Sequence, residues 1–337
     1  MRKTLILILI PLIYSCVKEV NPVFTDIDET YLAGEGVFIL NEGNFRSGNG
    51  SISFFSYDSL KIFNHVFKDI NNRPLGDVPY SMGIDGSRTY ILVNNSDKIE
   101  VTSRNDMKSV TTIKKISSPR YISFTGGTKA YITSLYSDSV TILDLQANSV
   151  SGYINLKKSS EAIVSLSTTA FAASWAGGNK IMVINTITDE VRDSIEVGFE
   201  PESMVVDKNE TLWVLCNGGW KRENFAVLIA INTRTNSIEK RFTFPSVTDS
   251  PTCLQINEAG TTLFFLLNGV RRMEIDASAL PSEVFISEQN HVFYRMGVNP
   301  SNNEIFVTDA GDYIQKGKVK RYSKEGVFIS EMTADII

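Results

Sequence analysis

The residues of this chain best suited to chemistry are aromatic, amide and arginine side chains in the polar stretches between apolar runs. Exposed tryptophan and tyrosine combine flat apolar area with a hydrogen-bonding group, which suits ligand recognition. We therefore predict a ligand-binding face, although any single aromatic residue could instead fill a gap in the core. The predicted members are Asn44, Phe45, Tyr80, Asn95, Arg120, Tyr121, Tyr136, Trp175, Trp220, Asn268, Tyr294 and Tyr313.

Catalytic motifs are not recognisable in the sequence. The only histidines are His65, predicted to be structural in a fourth strand at residues 63–67, and His291, in a loop where it could touch a ligand. No His, Asp and Glu cluster has the spacing of a metal site, and neither Gly-x-Ser-x-Gly nor a phosphate-binding glycine loop is present. We therefore predict a binding protein rather than an enzyme, without a metal or a catalytic cofactor.

The elements that must position these residues repeat along the chain. A short apolar run followed by a polar turn recurs seven times, at intervals of roughly 40 to 50 residues. Short strands joined by Asn, Asp and Gly are typical of antiparallel meanders. We predict an all-β fold, a seven-bladed β-propeller of four-stranded antiparallel blades at residues 36–337, with a pair of β-sandwiches as the alternative. The runs begin at Val37, Tyr90, Tyr131, Phe171, Leu212, Leu263 and Ile305.

The first repeat differs from the others. Residues 36–70 begin at the position of a second strand, with residues 51–55 as the third strand. Seven repeats are therefore present, but only six innermost strands are plainly encoded. Either residues 17–35 cover the missing position, or the seam of the ring is open.

The first sixteen residues have the features of a bacterial lipoprotein signal. Arg2 and Lys3 precede an apolar run that is too short to span a bilayer. The following Ile-Tyr-Ser-Cys at residues 13–16 resembles a lipobox. We predict a signal peptide at 1–15, an acylated Cys16, and a polar tether at 16–35 that holds the folded domain at a membrane. An ordinary signal peptide cleaved near Ser15 is the alternative.

The composition is that of an ordinary globular protein, with a formal net charge of −5 and 42% hydrophobic residues. Lysine and arginine form no basic run, so we predict no nucleic-acid partner. Cys216 and Cys253 both lie in apolar strand patterns. We predict two packed thiols there, with a disulfide as the alternative.

The repeat also resembles a known family. The sequence GFEPESMVVD at residues 198–207, followed by LWV at 212–214, is similar to the repeat of YncE-like seven-bladed propellers. The opening VFILNEGNF at residues 37–45 resembles a subgroup of Bacteroidetes surface lipoproteins, similar to BtuG-type cobalamin-binding proteins. The resemblance implies capture of cobalamin or a related corrinoid, as a ligand and not a catalytic cofactor, for a TonB-dependent outer-membrane transporter.

The resemblance also implies an outer-membrane lipoprotein at the cell surface. The periplasmic face stays open as an alternative, because Glu19 is the only acidic residue close behind Cys16. Two other functions also stay open. One is a module that binds a glycan or a protein. The other is a lactonase or lyase, which would need a pair of acidic or histidine side chains at the centre of the ring.

Overall fold

The computed structural model describes Leu32 and residues 34–337. The predicted signal peptide at 1–15, Cys16 and nearly all of the tether at 16–35 lie outside the described residues. In the described part of the chain, no helix is long and apolar enough to cross a membrane.

Seven antiparallel sheets follow one another along the chain, which confirms the predicted all-β, seven-bladed propeller. Tight turns join the strands, and Gly86 and Asn236 adopt the left-handed backbone that such turns favour. Blade 1 contains β1 (Gly36–Asn41), β2 (Ser51–Ser56) and β3 (Lys61–Phe63), and blade 2 contains β4 (Pro79–Asp85), β5 (Arg88–Val93), β6 (Lys98–Ser103) and β7 (Ser109–Lys114). Blade 3 contains β8 (Pro119–Phe124), β9 (Lys129–Ser134), β10 (Ser139–Asp144) and β11 (Ser149–Asn155). Blade 4 contains β12 (Ser160–Leu166), β13 (Thr169–Ser174), β14 (Lys180–Asn185) and β15 (Glu190–Glu196). Blade 5 contains β16 (Pro201–Val206), β17 (Thr211–Cys216), β18 (Val227–Asn232) and β19 (Ile238–Thr243). Blade 6 contains β20 (Thr252–Ile256), β21 (Thr262–Leu266) and β22 (Val270–Glu274). Blade 7 contains β23 (Phe293–Val298), β24 (Ile305–Asp309), β25 (Lys318–Tyr322) and β26 (Phe328–Thr333).

The second strand of a regular blade is deeply buried, because neighbouring blades pack on both of its faces. In β17, Trp213 and Leu215 are buried against Phe265 of blade 6. The Trp213 Nε1 group donates a hydrogen bond to Asp207 Oδ2 at 2.9 Å, so the buried indole is satisfied. Outermost strands such as β19 are largely exposed. The innermost strands surround the axis of the ring, and they therefore position the side chains that lie near this axis.

Blade 1 is incomplete in the described part of the chain. Its sheet contains β1, β2 and β3, and one edge of β1 pairs with no described strand. After β1, Glu42 accepts a hydrogen bond from Tyr294 at the start of β23, and Asn44 donates to the Tyr313 carbonyl oxygen in the loop after β24. The strand β1 therefore runs toward the same face as the second strands of the other blades, as predicted.

The predicted fourth strand at residues 63–67 is wrong. The strand β3 ends at Phe63, and a short helix, α1 (Val66–Asn71), begins after His65, which has a left-handed backbone with φ of 57°. Val66 and Phe67 are both buried in the core between blades 1 and 2. A strand would send these consecutive side chains to opposite faces, whereas the helix start buries both.

Blade 6 also lacks the predicted fourth strand. The strands β20, β21 and β22 form a three-stranded sheet, and the next segment makes only an isolated bridge between Val270 and Ile286. Pro281 lies in that segment, and its missing N–H group disfavours a regular outer strand.

The ring closes between blades 7 and 1 through side-chain packing and loop hydrogen bonds. The rings of Phe55 and Phe306 lie 5.7 Å apart between their centroids. The Gly43 N–H donates to the Ile336 carbonyl oxygen at 3.0 Å. No strand is exchanged between these two blades among the described residues.

Candidate functional site

The upper face is our name for the face on which Glu42, Tyr294 and Tyr313 meet. It collects the loop after each second strand and each connection into an innermost strand. Four predicted site residues lie in innermost strands near the axis, namely Tyr80 in β4, Arg120 and Tyr121 in β8, and Tyr294 in β23. The other eight lie in loops, namely Asn44, Phe45, Asn95, Tyr136, Trp175, Trp220, Asn268 and Tyr313.

Arg120 and Glu161 form a two-point ion pair near the axis. The Arg120 Nε and Nη2 groups donate to the two carboxylate oxygens at 2.7 and 2.6 Å. The Tyr80 hydroxyl donates to Glu161 Oε1 at 2.8 Å. The Arg120 guanidinium also lies 3.4 Å from the Tyr80 ring centroid, as a cation–π contact. Glu161 is almost completely buried, so these contacts must compensate its charge.

Arg295 extends this network across the axis. Its Nη2 group donates to the Tyr80 hydroxyl at 2.6 Å, and its Nη1 group donates to Glu202 Oε1 at 2.8 Å. The other Glu202 oxygen accepts the backbone N–H of Cys253 at 2.8 Å. The Arg295 side chain retains 31% of its exposure, so it is open to the space at the axis. The side chains of the network therefore come from innermost strands of five blades, and the Cys253 backbone adds a sixth.

A second polar group lies at the seam. The Tyr294 hydroxyl donates to Glu42 Oε1 at 3.0 Å, and the Tyr294 ring packs edge-on against Tyr313, with 5.8 Å between centroids. The Asn44 side chain donates to the Tyr313 carbonyl oxygen at 3.3 Å. These contacts bring three of the predicted residues, Asn44, Tyr294 and Tyr313, into one cluster.

Burial keeps the axial tyrosines protonated. It raises the pKa of Tyr80 well above its usual value, an effect that Arg295 opposes and Glu161 reinforces. Burial likewise raises the pKa of Tyr294, and the nearby Glu42 carboxylate adds to the increase. Both hydroxyls are therefore neutral hydrogen-bonding groups at physiological pH.

A cavity of about 430 Å³ lies on the axis below these residues. Tyr294 and Arg295 line it, together with apolar side chains that include Phe38 and Met82. A second cavity of about 650 Å³ shares Phe38 and Met82 and extends to the ends of β4 and β23 on the lower face. The space at the axis is thus polar at the upper face and mainly apolar beneath it.

The loop residues form an outer rim of the upper face. Trp220 is 87% exposed, Tyr136 is 74% exposed and Phe45 is 62% exposed, so these aromatic surfaces are open to a ligand. Trp175 is half-buried, and Asn268 is exposed in a left-handed turn. By contrast, the Asn95 side chain is engaged by Asp77.

The arrangement at the axis does not resemble an acid–base pair. Glu161 is neutralised by Arg120 and Glu202 by Arg295. Neither histidine lines the axial cavity. His65 Nδ1 lies 2.9 Å from Asp335 Oδ2, and His291 Nδ1 lies 2.6 Å from Asp309 Oδ2.

Within residues 34–337 and Leu32, no group of three or more His, Cys, Asp or Glu side chains could hold a metal ion.

Sequence reasoning misses four charged residues of the site, Glu42, Glu161, Glu202 and Arg295. A signal was present, because the second or third position of an innermost strand carries a polar or charged side chain in several blades. Tyr80, Arg120 and Glu202 each directly follow a proline that opens the strand; Glu161 and Arg295 occupy related positions.

The family comparison covers almost all of the propeller. The model of a family described as a domain of unknown function, DUF5074, matches residues 35–335. The chain belongs to the DUF5074 family. No curated protein sequence matches this DUF5074 chain.

Solved structures share the propeller fold with the DUF5074 chain at low sequence identity. A quinonprotein alcohol dehydrogenase-like protein from Bacteroides thetaiotaomicron is 12% identical, with a TM-score of 0.67, and covers 90% of this chain and 76% of its own. Virginiamycin B lyase from Staphylococcus aureus is 14% identical, with a TM-score of 0.60, and covers 75% of this chain and 83% of its own. Hydrazine synthase from Kuenenia stuttgartiensis is 16% identical, with a TM-score of 0.59, and the match covers 73% of this chain and 77% of the hydrazine synthase chain. At these identities the likeness concerns the fold.

Proposed function

We propose that this chain is a ligand-capturing propeller lipoprotein whose upper face binds cobalamin or a related corrinoid. The observation that carries the proposal is the rim of exposed aromatic side chains around a polar axial mouth. Trp220, Tyr136 and Phe45 offer flat apolar surface, while the partly exposed Arg295 guanidinium offers hydrogen-bond donors at the centre.

A corrinoid is a broad, flat ring fringed with amide groups, and this chemistry matches the two zones of the upper face. Aromatic side chains of the rim would cover apolar parts of the ring, because Trp and Tyr bury large area at low entropic cost. Asn268 on the rim and Tyr294 near the axis would pair with the amides. The ionic pairs at the axis hold this surface rigid, which limits the entropy lost on binding.

The cellular setting belongs to the same proposal. Acylation of Cys16 would anchor the protein in the outer membrane, and a TonB-dependent transporter would receive the ligand. The lipobox-like sequence at residues 13–16 and the resemblance at residues 37–45 support this setting. We place the propeller at the cell surface, with the periplasmic face as the alternative that surface proteolysis of intact cells would distinguish.

Titration calorimetry of residues 17–337 with cyanocobalamin tests the proposal. We expect saturable binding at micromolar concentration or tighter. Trp220→Ala and Tyr136→Ala should each weaken affinity by about tenfold, which is roughly 1.4 kcal/mol, because each removes an aromatic contact. The control is Ile187→Ala, which removes an apolar side chain that is 73% exposed in the turn between β14 and β15, at the end of the blade opposite the upper face.

The control variant should bind like the unmodified protein, and all variants should keep their melting temperature. Absence of heat and of co-elution with cyanocobalamin would overturn the corrinoid proposal. Equal weakening by Ile187→Ala would show that the upper face is not the binding surface.

A glycan-binding module is the second candidate, and Trp220 is the observation that favours it. An indole that is 87% exposed in a loop can stack against a sugar ring as well as against a corrin. A glycan array with the unmodified protein and Trp220→Ala distinguishes the two candidates. Trp220-dependent glycan binding without corrinoid binding would select this second function.

A further inference from the structure

A small polar cavity lies on the outer rim of the upper face, over the end of blade 6. It has a volume of about 300 Å³, at the lower end of the range of roughly 300 to 1,000 Å³ that small-molecule sites occupy. The loop between β17 and β18, the connection between β19 and β20, the turn between β21 and β22, and the connection into β23 surround it. None of its described lining residues also lines the axial cavity. We call this cavity the rim pocket.

The wall of the rim pocket suits a ligand with many hydroxyl groups. It combines polar side chains with one aromatic ring, and it includes Arg222, Thr248, Asp249, Asn268, Glu288 and Phe293. A guanidinium only donates hydrogen bonds, an ionised carboxylate only accepts them, and an amide does both. The adjacent hydroxyl groups of a sugar donate and accept at close spacing, so this set of side chains fits them.

The hydrogen-bonding atoms of this wall are available to a ligand. In the part of the chain that the structure describes, no hydrogen bond or ion pair engages the side chains of Arg222, Asn268 and Glu288. Asp249 Oδ2 accepts the Ser246 N–H at 3.0 Å, and Asp249 Oδ1 accepts from no described group. Asp249 and Glu288 are half-buried, so their carboxylates have lost part of their hydration and gain from ligand hydroxyl groups.

The backbone holds two of these side chains in fixed places. Asn268 has a left-handed backbone with φ of 49°, and the Leu267 N–H donates to the Gly269 carbonyl oxygen across it at 2.8 Å. The Arg222 N–H donates to the Gly219 carbonyl oxygen at 2.9 Å, which closes a turn. Side chains that start from a fixed backbone lose less entropy when a ligand binds.

An exposed aromatic side chain lies on the same turn as Arg222. Trp220 precedes Arg222 by two residues, and it is 87% exposed. An indole ring stacks against the apolar face of a sugar ring, while the hydroxyl groups at the sugar edge pair with polar side chains. This part of the rim therefore supplies both kinds of contact that a sugar uses.

We propose that the rim pocket binds one neutral sugar residue of a glycan. Asp249 and Glu288 bring two negative charges to the pocket and Arg222 brings one positive charge, so repulsion disfavours acidic sugars such as uronates. The inference rests on the glycan candidate above and names its site. It is separate from the axial region that the corrinoid proposal uses.

An oligosaccharide array tests the inference, with neutral chains of glucose, galactose and mannose printed beside chains that contain uronate. Residues 17–337 are applied in EDTA, because the pocket is proposed to bind sugar through its own side chains and not through calcium. We expect retention on at least one neutral chain and none on the uronates. Calorimetry with the retained chain should show at least about tenfold weaker affinity for Arg222→Ala and for Glu288→Ala, because each loses charge-assisted hydrogen bonds.

Lys221→Ala is the matched control, because Lys221 is an exposed cation on the same loop that does not line the rim pocket. The control should bind like the unmodified protein, and all three variants should keep its melting temperature. Asn268 stays unchanged in this test, because the corrinoid proposal also uses it.

No retention on any neutral chain would overturn the inference, as would retention that needs calcium. Retention that depends on Trp220 but survives both Arg222→Ala and Glu288→Ala would keep the glycan candidate and overturn this site. Titration with cyanocobalamin is a separate measurement, so failure of the corrinoid proposal leaves this inference standing. Weaker cyanocobalamin binding by Arg222→Ala, without glycan retention, would assign the rim pocket to the corrinoid instead.

Discussion

At the scale of single residues, Arg120 and Glu161 are the charged pair that most constrains the upper face. Glu161 is 1% exposed, and the Arg120 side chain retains 13% of its exposure. Removing one partner leaves the other charge buried without compensation. We expect Glu161→Gln to lower the free energy of unfolding by on the order of 3 to 5 kcal/mol, measured by urea denaturation.

The control for this prediction is Glu210→Gln, which breaks the exposed pair of Glu210 with Arg234. Exposed ion pairs contribute little, because water and salt already screen them. The control should therefore unfold at almost the same urea concentration as the unmodified protein. A Glu161→Gln protein as stable as the control would mean that the axial pair does not organise the upper face.

The two thiols of the propeller give a second prediction at this scale. Cys216 and Cys253 are free and buried, which agrees with the predicted packed thiols. Burial raises the pKa of the Cys216 thiol to about 12 and also raises that of Cys253. We expect neither to react with iodoacetamide at pH 8 in the native protein, and both to react in guanidinium, as read by mass spectrometry. Native labelling of either would show that its blade opens.

At the scale of elements, the seam between blades 7 and 1 should be an acid-sensitive junction. Glu304 accepts hydrogen bonds from Arg321 at 2.7 and 2.9 Å and from Tyr57 at 2.6 Å. Burial alone would raise the pKa of Glu304, but these hydrogen bonds outweigh it and hold the pKa below the ordinary value of 4.5.

The sign of the pH dependence follows from that shift. Because the folded-state pKa is lower than the unfolded-state pKa, the unfolded chain binds the proton more readily. The contribution of Glu304 to stability is complete above about pH 4.5 and is lost as the pH falls through the folded-state pKa. We expect Glu304→Gln to be less stable at pH 7 and to lose less stability than the unmodified protein between pH 5 and pH 3. Urea denaturation at each pH measures both effects.

The exposed Glu258→Gln variant serves as the control for the seam. It should follow the pH profile of the unmodified protein. Parallel profiles for Glu304→Gln and the unmodified protein would place the acid sensitivity of the ring elsewhere.

The elements also show which local predictions succeed. Anchors such as Tyr90 and Leu212 lie in buried second strands, as their apolar runs predict, because neighbouring blades cover both faces of these strands. The prediction of a fourth strand at residues 63–67 is wrong because Val66 and Phe67 are buried in the same core cluster, and a helix can bury both of these consecutive side chains. A short apolar run fits a helix that buries one face as well as it fits a strand that buries both faces, so the run alone does not distinguish the two elements.

At the scale of the whole molecule, the ring converts positions that are distant in sequence into one site. Tyr80, Arg120, Glu161, Glu202 and Arg295 come from five blades and meet because their strands converge on one axis. The sequence predicts Tyr80 and Arg120 as site residues but not their carboxylate partners. Charge pairing across blades depends on the direction of each side chain in the closed ring, and spacing along the chain does not encode it.

The sequence by itself determined the all-β class, the seven repeats and the position of residues 36–41 as a second strand. These follow from apolar periodicity and turn residues, which act over a few neighbours in the chain. Only the tertiary structure decided which polar side chains share the axis and which remain on the rim. It decided this because the innermost strands of separate blades meet only when the ring has closed around its axis.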